Sequence, residues 1–166
     1  MTSGRGPWTT SVAFLLDSSG SMHPRTDDVI GSFAAFVEAQ DQDTLLSLWT
    51  FSDTVRCVFR DLPKKDVPKL EFKPSGGTAL YDAIGTVLET KPKKLVILTD
   101  GEENSSSKFT KAHVKDLIRL SGVDVIYAGV DLEDAKELGI SKRIHYDGVD
   151  TPSTMSQLAT LASQGH

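Results

Sequence analysis

Five oxygen-bearing side chains in this sequence have types and spacings that could hold a single cation. They are Asp17, Ser19, Ser21, Thr78 and Asp100. The first three occupy alternate positions directly after the strand-like run 11–16, and the fourth follows a pair of glycines. The last one ends the apolar run 95–99. Two carboxylates and three hydroxyls are hard donors, which suit Mg²⁺ and are poor ligands for Zn²⁺.

The predicted ion at these oxygens is Mg²⁺, with Mn²⁺ as a substitute and Ca²⁺ less favoured. Magnesium keeps open coordination positions for water or for another oxygen. A carboxylate from a ligand would therefore be attracted to the remaining position.

Hydrophobic periodicity predicts strands that alternate with helices. Apolar runs predict strands at 11–16, 45–51, 95–99 and 123–130. Apolar residues at helical spacing predict helices at 26–39, 79–90, 108–120 and 152–163. Ser52 and Asp53 are typical turn residues, so 54–59 is predicted as an antiparallel strand at the sheet edge, and 143–147 as a weaker last strand.

This alternation predicts an α/β fold: a doubly wound, mainly parallel central sheet with one antiparallel edge strand and helices on both faces. In open sheets of this kind, ligands bind outside the carboxyl ends of the strands. The three loops that carry the five oxygens would meet at that edge. The irregular stretch 60–77, rich in Pro, Lys and Gly, is predicted as a candidate functional surface.

Length and composition restrict the classes of function. With 166 residues, the chain fits one domain at 9–163 with tails at 1–8 and 164–166. The net charge of −5 gives no electrostatic reason to expect nucleic acid. A single cysteine, Cys57, excludes an intrachain disulfide, and no apolar run is long enough to cross a bilayer. We expect a cytoplasmic monomer that binds neither nucleic acid nor a membrane.

The same residues carry a resemblance to a known family. The sequence DSSGS at 17–21 resembles the Asp-x-Ser-x-Ser motif of von Willebrand factor type A (vWA) domains. SGGTALYDAIG at 75–85 is similar to the loop that supplies their metal-binding threonine, and LVILTD at 95–100 to the strand that ends in their site aspartate. The motifs look most like those of intracellular single-domain versions in bacteria and their viruses. This likeness implies the cytoplasm of a bacterial or virus-infected cell.

The resemblance implies a Rossmann-like vWA fold with a metal-ion-dependent adhesion site (MIDAS). Ser19, Ser21 and Thr78 would contact the metal directly or nearly so, and Asp17 and Asp100 would hold it directly or through water. An Asp or Glu of a protein partner would fill the last metal position. The function implied is a metal-dependent protein-binding module of the adhesion type that recognises an acidic side chain.

Simpler and enzymatic alternatives exist for these residues. Asp17 and Ser19 could cap the helix that follows them, and Thr78 could cap the helix at 79–90. The Glu, Glu and Asn of 102–104 are expected to be solvated loop residues. Asp17 after a strand is also compatible with a Mg²⁺-dependent phosphohydrolase. The sequence contains no visible set of nucleophile, base and orienting residue, so we predict that the protein is not an enzyme.

Overall fold

A six-stranded sheet organises the part of the chain that the structure, a computed structural model, describes: residues 10–101 and 103–163. Its strands are β1 (Ser11–Asp17), β2 (Leu45–Phe51), β3 (Val55–Pro63), β4 (Lys94–Leu98), β5 (Asp124–Gly129) and β6 (Lys142–His145). Their order is β3-β2-β1-β4-β5-β6, and neighbouring strands are parallel except β2 and β3. The predicted tails, 1–8 and 164–166, lie outside the described residues.

Helices cover both faces of this sheet. They are α1 (Thr26–Glu38), α2 (Leu80–Leu88), α3 (Lys111–Ser121), α4 (Leu132–Glu137) and α5 (Thr151–Ser163), with 3₁₀ helices at Gly20–Arg25 and Lys64–Asp66. The bounds of α3 follow from its sequence. The Thr110 hydroxyl accepts the His113 N–H at the start, and Gly122, with a φ of 72°, ends the helix in the left-handed conformation.

Two apolar cores form because alternate residues of the central strands point to opposite faces. Phe14 of β1 belongs to the core under α1 and α5, and its ring meets that of Phe36 edge-on with centroids 4.9 Å apart. Leu15 and Ile97 belong to the core under α2 and α3. Strands buried on both faces need continuous apolar runs, which explains the sequence of β1 and β4.

The predicted fold class is confirmed: a mainly parallel sheet with one antiparallel edge strand, β3, between two helical layers. Two expectations about elements need correction. The short helix α4 is not predicted by the apolar pattern. The strand β3 continues to Pro63, so the irregular stretch begins after the 3₁₀ turn Lys64–Asp66 and not at residue 60.

No helix within the described residues is both long and apolar enough to span a bilayer.

Candidate metal centre

Asp17 ends β1 and holds its carboxylate inside the loop that follows. The residue is fully buried, with 0% of its surface exposed. Its Oδ1 accepts a hydrogen bond from the Ser19 backbone N–H at 2.7 Å, and its Oδ2 accepts one from the Thr99 hydroxyl at 2.6 Å. Since Thr99 follows β4, these bonds tie the carboxyl ends of the two central strands together.

A row of hydroxyl oxygens connects the serine loop, residues 18–21, to Asp100. The hydroxyl oxygens of Ser19 and Ser21 lie 3.1 Å apart. The Ser21 hydroxyl donates to Asp100 Oδ1 at 2.6 Å. Ser19 is buried and Ser21 is exposed, so the oxygens extend from the interior of the protein to its surface.

Thr78 reaches the same place from a third loop. Its hydroxyl oxygen lies 3.3 Å from the position that a Cβ atom on Gly101 would take, and Asp17 Oδ2 lies 3.9 Å from that position. The Thr78 hydroxyl and the Asp17 carboxylate therefore both approach Gly101 from the same edge of the sheet. A glycine after Asp100 is favoured because any side chain there would press on the Thr78 hydroxyl.

Backbone hydrogen bonds hold the glycine loop, residues 75–78, against the serine loop. The Gly20 N–H donates to the Gly76 carbonyl at 3.0 Å, and the Ser75 N–H donates to the Ser18 carbonyl at 2.8 Å. Main-chain bonds between two loops fix their relative position more strictly than side-chain contacts would. All five predicted site residues are thus brought to one edge of the sheet.

Helix capping does not explain the hydroxyl residues of these loops. Ser19 precedes the 3₁₀ helix Gly20–Arg25, but its side chain makes no capping hydrogen bond. The residue that precedes α2 is Ala79 and not Thr78, and no side chain caps that helix from this position. The capping alternatives for Ser19 and Thr78 are therefore wrong, and their hydroxyls are available for another use.

The loop after Asp100 supports Thr78. Asn104 Oδ1 accepts the Thr78 N–H at 2.9 Å, and Glu103 Oε1 accepts the Tyr81 N–H at 3.0 Å, in the first turn of α2. Glu103 is half-buried, so the expectation that it is only a solvated residue is wrong. Asn104 is exposed, yet it too has a defined partner. The preference of carboxylates for helix N-termini could have indicated that Glu103 lies at such an end, but not at which helix.

Asp82 anchors the far end of that loop and was not predicted as a site residue. It is 6% exposed, and its carboxylate accepts the backbone N–H groups of Ser107, Lys108 and Phe109 at 2.8 to 2.9 Å. Burial alone would raise the pKa of Asp82, but the N–H donors of Ser107, Phe109 and Lys108 outweigh burial. They hold the pKa below its ordinary value of 3.8.

Arg25 places a positive charge beside the oxygens, which sequence reasoning also missed. Its Nε lies 3.7 Å from Asp100 Oδ2 and donates to the Gly148 carbonyl at 2.9 Å. Its Nη1 donates to the Ser21 carbonyl at 3.0 Å. The one sequence feature that could have indicated this role is the position of Arg25, a basic residue four positions after Ser21 on the 3₁₀ turn. Arg25 offsets part of the charge of Asp100.

The electrostatics of the centre fit a bound cation. Burial raises the pKa of the Asp17 carboxyl; hydrogen bonds from Ser19 and Thr99 oppose that rise, and the charge of Asp100 adds to it. A buried carboxylate near a second carboxylate is stabilised in its charged form by a positive ion. The described residues contain no cluster of three or more His, Cys, Asp or Glu side chains suited to a metal. The donor set is accordingly one of hydroxyls and two carboxylates, which suits a hard cation.

Family and structural comparisons agree with this architecture. Residues 12–117 match the family model described as VWA-like domain (DUF2201), so the chain belongs to the VWA-like domain family. The match includes β1, β4 and the three loops that carry the five oxygens. No curated protein matches the sequence at a significant level.

Solved structures share the fold at low sequence identity. Proximal thread matrix protein 1 from the mussel byssus superposes with a TM-score of 0.74 at 22% identity, over 93% of this chain and 46% of that one. The ArnB paralog VWA2 from Sulfolobus acidocaldarius gives 0.71 at 20% identity, over 91% and 44%. Manganese-loaded TRAP protein from Plasmodium vivax gives 0.65 at 14% identity, over 91% and 73%. The chain spans less than half the length of the first two, and identities this low establish the fold alone.

Proposed function

We propose that this domain is a metal-dependent protein-binding module. Ser19, Ser21, Thr78, Asp17 and Asp100 would hold Mg²⁺, with Mn²⁺ as a substitute, in a site of the MIDAS type. The bound ion supplies a concentrated positive charge at the carboxyl edge of the sheet, which attracts a carboxylate. The partner is a protein that presents an Asp or Glu side chain to this edge.

One observation carries the proposal: three loops place two carboxylates and three hydroxyls at one edge. The Ser21 hydroxyl already lies within hydrogen-bonding distance of the Ser19 hydroxyl and of Asp100 Oδ1. The loops are fixed by main-chain bonds, so the oxygens do not depend on a ligand for their arrangement. The structurally similar TRAP protein of Plasmodium vivax was solved loaded with manganese, which supports a divalent cation in this domain.

The residues of the proposed site would have different roles. Ser21 is exposed at the surface end of the row, so it would meet the incoming partner, whereas the side chain of Asp100 is only 4% exposed. Ser19, Thr78 and Asp17 are buried and would define the inner side of the site. Arg25 limits the negative charge of Asp100 and thus the affinity for cations in general.

The phosphohydrolase alternative is disfavoured by the geometry of Asp17. A nucleophilic carboxylate needs an oxygen that a phosphoryl group can reach. Asp17 has no exposed surface, and both of its carboxylate oxygens accept hydrogen bonds from Ser19 and Thr99. A non-enzymatic binding role is the better fit.

Magnesium titration tests the proposal. We expect Mg²⁺ to raise the melting temperature of the wild-type domain, since a ligand at 100 times its Kd stabilises a fold by about 2.7 kcal/mol. Asp100→Asn keeps an oxygen for the Ser21 hydroxyl but removes the charge, so it should lose most of this response. Asp41→Asn removes an equal charge from an exposed residue before β2, at the opposite end of the sheet, and should keep the response.

The partner claim needs a second measurement. A labelled peptide that contains one Glu should bind the wild-type domain in Mg²⁺ and release on addition of EDTA, whereas the same peptide with Gln should not bind. The metal claim fails if calorimetry detects no Mg²⁺ binding, or if Asp100→Asn and Asp41→Asn respond equally. Turnover of a phosphatase substrate that depends on Asp17 would instead favour the enzyme.

A further inference from the structure

A basic groove lies beside the candidate metal centre, between the β2–β3 edge of the sheet and the segment 67–75. Its volume is about 490 Å³. The residues that define it here are Arg56, Lys69, Lys73, Ser18, Ser52 and Ser75. Glu71 is the single acidic residue among those that line it. No function described above uses this groove.

Within residues 10–101 and 103–163, the cations of the basic groove form no ion pair with an acidic side chain. Arg56, Lys69 and Lys73 are exposed, and none of them takes part in the ion pairs found among the described residues. The chain as a whole carries a net charge of −5, so a groove lined by three unpaired cations has the opposite sign of charge to the protein overall. Such a surface is complementary to a negatively charged ligand.

The segment that carries two of these cations is anchored from below. Leu70 and Phe72 are 7% and 6% exposed and belong to the core under α1 and α5. Lys69, Glu71 and Lys73 alternate with them and are exposed. The alternation holds the lysines on the surface of an anchored segment, which reduces the entropy lost when a ligand binds.

The basic groove is continuous with the serine loop. Ser18, which lines the groove, is adjacent to Asp17 and Ser19, and its carbonyl accepts the Ser75 N–H at 2.8 Å. Ser18 also donates through its N–H to the Phe51 carbonyl at 2.7 Å. The groove therefore begins beside the candidate metal centre, within reach of a chain that contacts the centre through one side chain.

We infer that the partner is an acidic peptide segment: one carboxylate reaches the metal centre, and neighbouring Asp or Glu residues occupy the basic groove. This inference rests on the proposed function for the first carboxylate, whereas the groove itself depends only on Arg56, Lys69 and Lys73. A single-stranded nucleic acid fits less well, because such ligands stack their bases on accessible aromatic rings. The aromatic residue that lines the groove, Phe72, is buried.

Two labelled peptides of ten residues test the inference: ten glutamates, and one glutamate among nine glutamines. In Mg²⁺ at low salt, the wild-type domain should bind the first about 3-fold to 150-fold more tightly, because three exposed ion pairs at about 0.2–1 kcal/mol each convert to that range. Lys69→Gln with Lys73→Gln should lose most of that advantage and keep its affinity for the single-glutamate peptide. Lys115→Gln with Lys136→Gln removes the same charge from exposed residues of α3 and α4 and should behave as the wild type.

The outcomes separate the two proposals. Equal binding of deca-glutamate by the wild type and the Lys69/Lys73 variant overturns the assignment of the groove. So does competition by a dT decamer as effective as that by deca-glutamate, which would make the groove a nucleic-acid site. If calorimetry detects no Mg²⁺ binding, the proposed function fails. Deca-glutamate binding that persists in EDTA and is weakened by the Lys69/Lys73 substitutions would still support the groove.

Discussion

Asp82→Asn is the most informative single substitution in this domain, because the change is one atom and its consequences can be worked out. Asp82 Oδ1 accepts the N–H groups of Lys108 and Phe109, and Oδ2 accepts that of Ser107. Asparagine has one acceptor oxygen. With that oxygen toward Lys108 and Phe109, its amide NH₂ faces the Ser107 N–H, and this part-buried donor is left without a partner. The opposite orientation leaves two donors unsatisfied.

The expected cost has two parts. An unsatisfied buried donor costs about 1–3 kcal/mol, and hydrogen bonds to a charged acceptor are worth about 1 kcal/mol more than those to a neutral one. We expect Asp82→Asn to lower the free energy of unfolding by about 3 kcal/mol. Asp116→Asn, which removes an exposed carboxylate 3.3 Å from the Arg119 guanidinium, should change it by less than about 0.5 kcal/mol.

The pH dependence gives an independent check. Because the pKa of Asp82 is lower in the folded state than its ordinary 3.8, its charge stabilises the fold fully above that value. The contribution is lost as the pH falls through the folded pKa. The difference in unfolding free energy between the wild type and Asp82→Asn, measured by urea titration, should therefore shrink from pH 7 to pH 3. A difference below about 0.5 kcal/mol at pH 7, or one that grows toward low pH, would refute the anchoring role of Asp82.

Two further predictions follow from close approaches in the structure. A Cβ on Gly85 would overlap the ring of Phe109, so Gly85→Ala should destabilise the domain by about 1–3 kcal/mol in a urea titration. Gly31→Ala, in α1 with open space around it, should stabilise the domain by about 0.5–1 kcal/mol. A rise in the free energy of unfolding of both variants would contradict the tight packing of α2. Arg25→Met removes a cation 3.7 Å from Asp100, where two unit charges interact by about 1 kcal/mol in water. It should tighten Mg²⁺ binding about fivefold by calorimetry, and weaker binding would mean that Arg25 acts chiefly by positioning Ser21.

The sequence was sufficient for the sheet because its strands and helices follow local pattern. An apolar run that ends in Asp, as that of β1 does, or is followed closely by Asp, as that of β4 is, puts that residue at the carboxyl end of a strand. The helices were likewise predicted from the spacing of their apolar residues, which requires no knowledge of tertiary contacts. This is why the fold class was predictable, and why Asp17 and Asp100 were both expected at the carboxyl edge of the sheet.

Other features depend on contacts between distant segments and left no local signal. Asp82 and Glu103 accept hydrogen bonds from backbone N–H groups of segments remote in sequence, and Arg25 donates one to the Gly148 carbonyl. The extension of β3 beyond residue 59 needs a register shift against β2, which Asp61 permits with a φ of 55° and an N–H bond to the Ser47 hydroxyl.

The position of β1 at the centre of the sheet has a consequence for how the protein is made. β1 pairs with β4, where Val12 lies opposite Lys94, so the centre of the sheet closes only after most of the intervening chain has been synthesised. Closing so long a loop is entropically costly and makes folding slow. A nascent chain that ends before Lys94 carries Asp17, both serines and Thr78 but lacks Thr99 and Asp100, which bond to Asp17 and Ser21. The cation proposed above would therefore find all five of its oxygens only after β4 and Asp100 have joined the sheet.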